Sequence, residues 1–340
     1  MIMKNIIQWF KAQWSDKPLF STCLALLLMI VLQTAALGTD YTSFGDWWSS
    51  FCVNWINVLR NNATVGIVSL GMTFVIISGG IDLAVGSTLA LTGAVFLLLA
   101  DSQGILAQTA LAGWPAFFIA LLCVLICGSL LGGLNGVLVA DGAIPPFIVT
   151  LGTMKFFRSV TQYFMQTRRP EIPVAFLDFS NLRTGNFILM PILYWLVIAV
   201  LLHIVYSKTV FGTHVIAVGS NEKAAKLTGI NVRFVKRCVY ILAGALVSFA
   251  AVIQVCRIGS MDYANAGAGY EMDAIAAVIV GGTRMSGGRG SIVGTMLGVL
   301  IIGVMNNLLN LIGVPPFLRE AFKGVIVIVA VLLQKKEATS

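Results

Sequence analysis

Ser207–Arg237, SKTVFGTHVIAVGSNEKAAKLTGINVRFVKR, is the longest polar interruption between hydrophobic runs of this 340-residue chain. It carries six basic residues: Lys208, Lys223, Lys226, Arg233, Lys236 and Arg237. A short helix is written inside it. The side-chain oxygen of Ser220 or Asn221 can accept a backbone N–H left free at a helix start. Glu222 then falls in the first turn and Lys226 near the end, each opposite in sign to its end of the helix dipole. Gly229 suits a left-handed stop. A helix of about two turns is marginal in water by itself, so it becomes rigid only against something else. Two readings follow: a docking element for a partner protein, or a solvated connecting loop with a frayed helix.

On either side of this stretch the chain is strongly apolar. Hydrophobic residues make up 58% and charged residues 11%, with a mean hydropathy of +0.92. Soluble domains are about 25% charged, so the composition points to an all-α polytopic membrane protein. The net charge of +8 calls for no nucleic-acid partner, because basic residues gather in loops beside the spans, as on the cytoplasmic side of membrane proteins. No basic tract is interleaved with aromatics as a nucleic-acid groove requires. Most of the six cysteines lie in or at the ends of apolar runs and behave there as small apolar groups. Cys123 and Cys127 are one helical turn apart, a packing spacing. With His203 and His214 the only histidines, no metal site is expected.

Residues 1–18 alternate aromatic and basic residues, the pattern of a segment lying on membrane lipid at the cytoplasmic surface. Residues 19–56 read as a first span followed by a Trp-rich outer interfacial segment, and residues 57–335 as the core, which contains the 207–237 loop. Spans are expected near 19–38, 63–78, 83–100, 114–140, 144–164, 188–206, 238–256, 271–283, 291–310 and 317–333. That gives about ten transmembrane helices with both termini cytoplasmic, and it places 13 of the 22 basic residues on the cytoplasmic side. Lys155 and Arg158 fall within a span. An internal echo accompanies the layout. NGVLVADGAIPPF from Asn135 and NNLLNLIGVPPF from Asn306 straddle junctions on opposite sides of the membrane, as an inverted repeat would.

The polar residues inside the apolar runs offer little chemistry. Ser78–Ser87, SGGIDLAVGS, bends the backbone at Gly79 and Gly80. Asp82 there is either a buried helix cap or a substrate contact. Gly281–Ser291, GGTRMSGGRGS, lacks the GK[ST] ending of a phosphate loop and reads as a tight turn. Glycines four apart, Gly128 with Gly132 and Gly294 with Gly298, allow close helix approach. Glu271 and Asp273 open a span and suit its N-terminus, with a proton relay as the other reading. No nucleophile with a base emerges, so no enzyme activity is expected, and no ATP site lies on this chain.

Five segments taken together carry a resemblance: GMTFVIISGGIDLAVGS, GAIPPFIVTLG, AVGSNEKAAKLTGINV, GYEMDAIAAVIVGGT and GSIVGTMLGVLIIGVMNNLLNLIGV. In that order, over roughly residues 57–335, the chain resembles ribose-type ABC importer permeases. The stretch RRPEIPVAFLDFSNLRTGN departs from the family's motifs. The resemblance implies a subunit in the cytoplasmic (inner) membrane that moves a monosaccharide or similar polyol inward by alternating access. It implies three partners: a cytoplasmic ABC ATPase carrying ATP and magnesium, a periplasmic or surface-tethered sugar-binding protein, and a second permease copy or related permease. It also implies a coupling helix at Ser220, Asn221, Glu222, Lys223, Ala224, Ala225, Lys226, Leu227, Thr228 and Gly229, with Ala224, Ala225 and Gly229 permitting close approach. Gly80, Asp82, Asn135, Thr150 and Asn306 become expected contacts along the path. The competing expectation is an ion-coupled secondary transporter working through Asp82, Glu271 or Asp273.

Overall fold

The computed structural model describes residues 18–38, 43–104, 106–109, 112–185, 187–325 and 328. The surface segment expected at 1–18 and the end of the last span therefore lie almost wholly outside the described residues. In chain order the elements are α1 (Pro18–Ala36), α2 (Phe44–Ile77), α3 (Val85–Ala100), α4 (Trp114–Ala140), α5 (Pro146–Met165), α6 (Val174–Asn181), a hairpin of β1 (Arg183–Thr184) and β2 (Phe187–Ile188), α7 (Met190–Lys208), α8 (Val210–Ser220), α9 (Glu222–Leu227), α10 (Val232–Ile258), α11 (Tyr270–Val280) and α12 (Ile292–Leu311). A further helix occupies 316–325. Among the described residues α2, α4, α7, α10 and α12 are long and apolar enough to cross a membrane, and Thr22–Ala36 of α1, α3 and α8 are shorter apolar stretches. The fold is the all-α polytopic membrane architecture that the composition requires.

The helices fall close to the expected spans, with two corrections. The Trp-rich stretch before residue 63 is not a separate interfacial segment. Ser43 caps it by accepting the Asp46 N–H at 3.2 Å, and one 34-residue helix then runs unbroken to Ile77. No structural boundary falls at 56/57. At 1.5 Å per residue α2 is about 51 Å long, against about 30 Å of hydrocarbon, so its Trp-rich half extends past the bilayer core or tilts. The second correction concerns 207–220, expected as polar loop. It holds α8, whose Gly212, Val215 and Val218 are buried.

The centre of the fold is the second half of α2, where Ala63 through Ile77 are all buried. α10 packs on it and on α3 and α4. Within a bilayer, helices gain little from hiding apolar surface, and close van der Waals contact takes over. Small residues supply that contact. A Cβ at Gly128 would lie 2.5 Å from Ser248 Oγ, and one at Gly132 would lie 3.0 Å from the Tyr240 carbonyl carbon. Gly294 and Gly298 meet Gly281 of the turn after α11 in the same way. Both four-spaced glycine pairs are therefore helix contacts. Hydroxyls add a specific link, since Thr73 of α2 and Thr295 of α12 are hydrogen-bonded at 2.7 Å, both fully buried.

The turns sort to two ends. At one, the Gly288 N–H donates to the Ile77 carbonyl at 2.9 Å, Ser220 Oγ approaches the Gly288 carbonyl, and Tyr206 donates to the Gly290 carbonyl. Arg237 at the start of α10 grips Asp141 at the end of α4, with Nε donating to Oδ2 at 2.7 Å. At the other end, the Ser102 N–H donates to the Glu171 carbonyl, and Asn181 reaches the carbonyls of Cys256 and Arg257. The RRPEIP loop there helps line a cavity of about 370 Å³ with Met261 and Tyr263. The two Pro-Pro junctions, 145–146 and 315–316, sit at opposite ends because the 20 residues of α12 separate the second from the Gly288 turn.

Candidate functional site

Around residues 220–229 the chain builds a small, fully capped helix. Asn221 is the N-cap, its Oδ1 accepting the Ala224 N–H at 3.0 Å. Of the two cap residues open on sequence, Asn221 does the work, while Ser220 ends α8 and donates to the Ile216 carbonyl. Gly229 takes φ +86°. Its N–H donates to the Lys226 carbonyl, and the Ile230 N–H donates to the Ala225 carbonyl, the paired bonds of a Schellman stop. With both ends satisfied the short helix stays wound, which its length alone would not secure.

Its two faces differ. Ala225 is 4% exposed and packs into the core, so it anchors the helix to its own protein. That corrects the expectation that Ala225 is a contact for a partner. Leu227 is 89% exposed, an apolar side chain standing out among Asn221, Lys223, Ala224, Lys226, Thr228 and Gly229, all exposed. Glu222 is committed within the chain, 2.6 Å from Lys236 Nζ on α10. The helix is thus a rigid base presenting one apolar knob ringed by polar and basic groups. The exposure of Leu227 is the signal that sequence reasoning missed.

The second set of expected residues does not converge on one opening. Asp82 is buried, and its Oδ1 accepts the Ala84 N–H at 2.9 Å, which bends the chain into α3. Gly80 lies against Tyr240, whose hydroxyl donates to the Ile81 carbonyl at 3.1 Å. A side chain at Gly80 would collide with that hydroxyl, so this glycine is required by packing. Thr150 is fully buried and bonds back to the Pro146 carbonyl. Asn135 is buried on α4, with its Oδ1 unpaired. Asn306 is on α12 beside Asn307, which donates to Asn54 of α2 at 3.0 Å. Asp82, Asn135 and Thr150 are buried in one subunit's packing or turns, and Gly80 and Asn306 are half-buried.

Two cations inside the fold have partners. The Lys323 ammonium lies 2.9 and 3.1 Å from the two carboxylate oxygens of Asp273 and 2.9 Å from Glu320. Arg158 donates to the Ala266 carbonyl at 2.7 Å. Among the described residues no group of three or more His, Cys, Asp or Glu is placed to hold a metal ion.

Residues 54–331 match the family profile described as "Branched-chain amino acid transport system / permease component". The chain is 37% identical over 316 residues to the ribose import permease protein RbsC of Haemophilus influenzae, covering 91% of this chain and 90% of the relative. It is 42% identical over 296 residues to the Bacillus subtilis protein of the same name, covering 84% and 86%, and 39% identical over 290 residues to that of Escherichia coli K12, also covering 84% and 86%. No solved structure matches. By the extent of these matches and its packed bundle of apolar helices, the chain belongs to the ribose-type ABC importer permease family, as a membrane transport subunit and not an enzyme.

Proposed function

We propose that this chain carries a monosaccharide or similar small polyol into the cytoplasm by alternating access, and that α9 is where a cytoplasmic ABC ATPase grips it. ATP and magnesium belong to that ATPase. A sugar-binding protein, periplasmic or surface-tethered, delivers the solute at the opposite end, and a second permease copy or a related permease completes the path. The α9 end then faces the cytoplasm, both termini lie on that side, and the two Pro-Pro junctions belong to inverted repeat units. The support for the solute class is the identity to permeases named for ribose import.

One observation carries the coupling role: the capped helix α9 holds Leu227 almost fully exposed beside Lys223 and Lys226. An exposed apolar side chain ringed by polar and charged groups has the layout of a protein interface, an apolar centre with a polar rim. Of the three carboxylates that an ion-coupled mechanism would use, two are engaged within the chain, Asp273 by Lys323 and Asp82 by the Ala84 N–H. The test is co-purification of the cognate ATPase with Leu227→Asp and Ala224→Trp variants. Loss of the ATPase with membrane insertion intact is expected. Unchanged association together with unchanged uptake would refute the assignment of α9.

A further inference from the structure

The faces that the helices turn outward are not alike. α4 exposes Phe118, Leu122, Ile126, Leu130 and Leu134, and α7 exposes Leu193, Leu196, Val200 and Ile204, all suited to lipid tails. α5 differs. At 20 residues it is long enough to cross, yet it is not among the helices apolar enough to do so by composition. Its outward residues include Gly152, Lys155, Ser159, Gln162 and Gln166, every one exposed. Their spacing of three, four, three and four residues places them on a single stripe of the helix. The buried residues Thr150, Thr153, Phe157, Thr161 and Met165 occupy the opposite side. The stripe therefore points directly away from the protein's own packing.

An ammonium, an amide and a hydroxyl in line cannot face hydrocarbon at tolerable cost. Polar side chains within spans turn to other protein or to a water-filled cavity. The backbone beside α5 makes the same demand. α11 has 11 residues, about 16 Å at 1.5 Å each, which is roughly half the hydrocarbon thickness. The other half of that crossing is the irregular segment 259–269. This segment runs beside α3, with Met261 against Gly93 and Gly267 against Gly86. Arg158 of α5 holds it through the Ala266 carbonyl. Irregular backbone at membrane depth is tolerated only when it is buried in protein or lines an aqueous cavity, and Asn265 and Ala268 of this segment are exposed.

We propose that the α5 stripe, centred on Lys155, Ser159 and Gln162, lines the wet path taken by the solute, with a second copy of this chain forming the facing wall. This rests on the import reading above and deepens it by naming the residues that meet the solute. The chemistry fits an uncharged polyol: one cationic donor, an amide and a hydroxyl offer exchangeable partners to sugar hydroxyls. Phe156 and Tyr163, both exposed, border the stripe with apolar walls.

The test uses the complete permease–ATPase complex in proteoliposomes, with the six native cysteines replaced. Ser159→Cys and, as the lipid-facing control, Leu130→Cys are each exposed to a small membrane-impermeant cationic methanethiosulfonate. Ser159→Cys is expected to react at least about tenfold faster, and saturating D-ribose with its binding protein and ATP is expected to slow it. Gln162→Leu is expected to lower uptake about tenfold through loss of a polar partner, with Gln162→Asn recovering part of it and ATPase co-purification unchanged in both. Equal reactivity at 159 and 130 overturns the proposal. So does an unreactive Ser159→Cys that crosslinks spontaneously between copies, which would make the stripe a dry interface. Fast labelling that sugar leaves unaltered, with normal uptake by Gln162→Leu, overturns it as well. Loss of the ATPase from the unmodified complex would instead sink the import reading, while the labelling ratio still reported on the path.

Discussion

Lys236 Nζ lies 2.6 Å from Glu222 Oε2, so the short helix α9 is tied by charge to the first turns of α10. The lysine side chain is 19% exposed and the glutamate 57%, which places the pair near the surface, where such bridges contribute about 0.2–1 kcal/mol. Its value lies in fixing the angle of α9. Lys236→Glu is expected to reduce sugar moved per ATP hydrolysed by up to about fivefold, the factor equivalent to the upper end of that range. Exchanging both charges, Glu222→Lys with Lys236→Glu, should recover most of the loss. A double exchange as impaired as the single one would show that the pair does not set the geometry.

The α4–α10 contact allows a matched comparison on neighbouring glycines. A Cβ at Gly132 would press on the Tyr240 backbone and on Gly244, whereas one at Gly133 would meet only the Ile241 side chain, at 3.3 Å. Backbone cannot yield as a side chain can. Gly132→Ala should therefore cost about 1–3 kcal/mol of overpacking, and Gly133→Ala much less. Thermal unfolding of the detergent-solubilised protein would separate them, and equal melting temperatures would count against the close contact.

Asp141 and Arg237 predict a response to acid. The hydrogen bond from Arg237 holds the Asp141 carboxyl below its ordinary value of 3.8, with the charges of Arg237 and Arg233 assisting. A carboxylate depressed in the folded state contributes stability that is present above its unfolded value. That contribution is lost as pH falls below 3.8 through the lower folded value. Asp141→Asn should remove it at neutral pH and flatten the fall in melting temperature on acidification. An acid limb identical to the parent's would argue that the pair is immaterial to stability.

Thr73 and Thr295 meet in the core of the bundle at 2.7 Å. Hydrogen bonds between membrane helices average about 0.6 kcal/mol by double-mutant cycle. Thr73→Val and Thr295→Val should each destabilise the protein, and the double variant should cost less than their sum by about that amount. Strict additivity would place the two hydroxyls on other partners.

Much of the helical layout was legible in the sequence because hydrocarbon thickness imposes a length on each span. The capped helix at 222–227 was legible for a different reason: Asn221 and Gly229 act locally, through bonds to backbone a few residues away. What escaped was tertiary. α8 lies in a stretch rich in polar residues, and its burial depends on neighbours distant in sequence, the carbonyl of Ile77 among them. The unbroken length of α2 was hidden by its Trp-rich, polar-flecked half. Ala225 looked like its exposed neighbour Ala224, and only the packing of α9 on the core distinguishes them. The α5 stripe was half visible, since Lys155 and Arg158 stood out within a span. That Lys155 faces away from the body while Arg158 holds the irregular segment needed the fold.

Where α8 ends, the chain leaves almost nothing soft between its parts. Gly219 abuts the carbonyl of Ile77, Gly287 lies against Gly79, and the Gly288 N–H is bonded to that same Ile77 carbonyl. Main chain rests on main chain, with no rotatable side chain to absorb a displacement. Under the proposed coupling role, a tug at Leu227 would reach the foot of the central helix undamped, as through a gear train without backlash, and the tolerance for added atoms at these glycines should be the narrowest in the molecule.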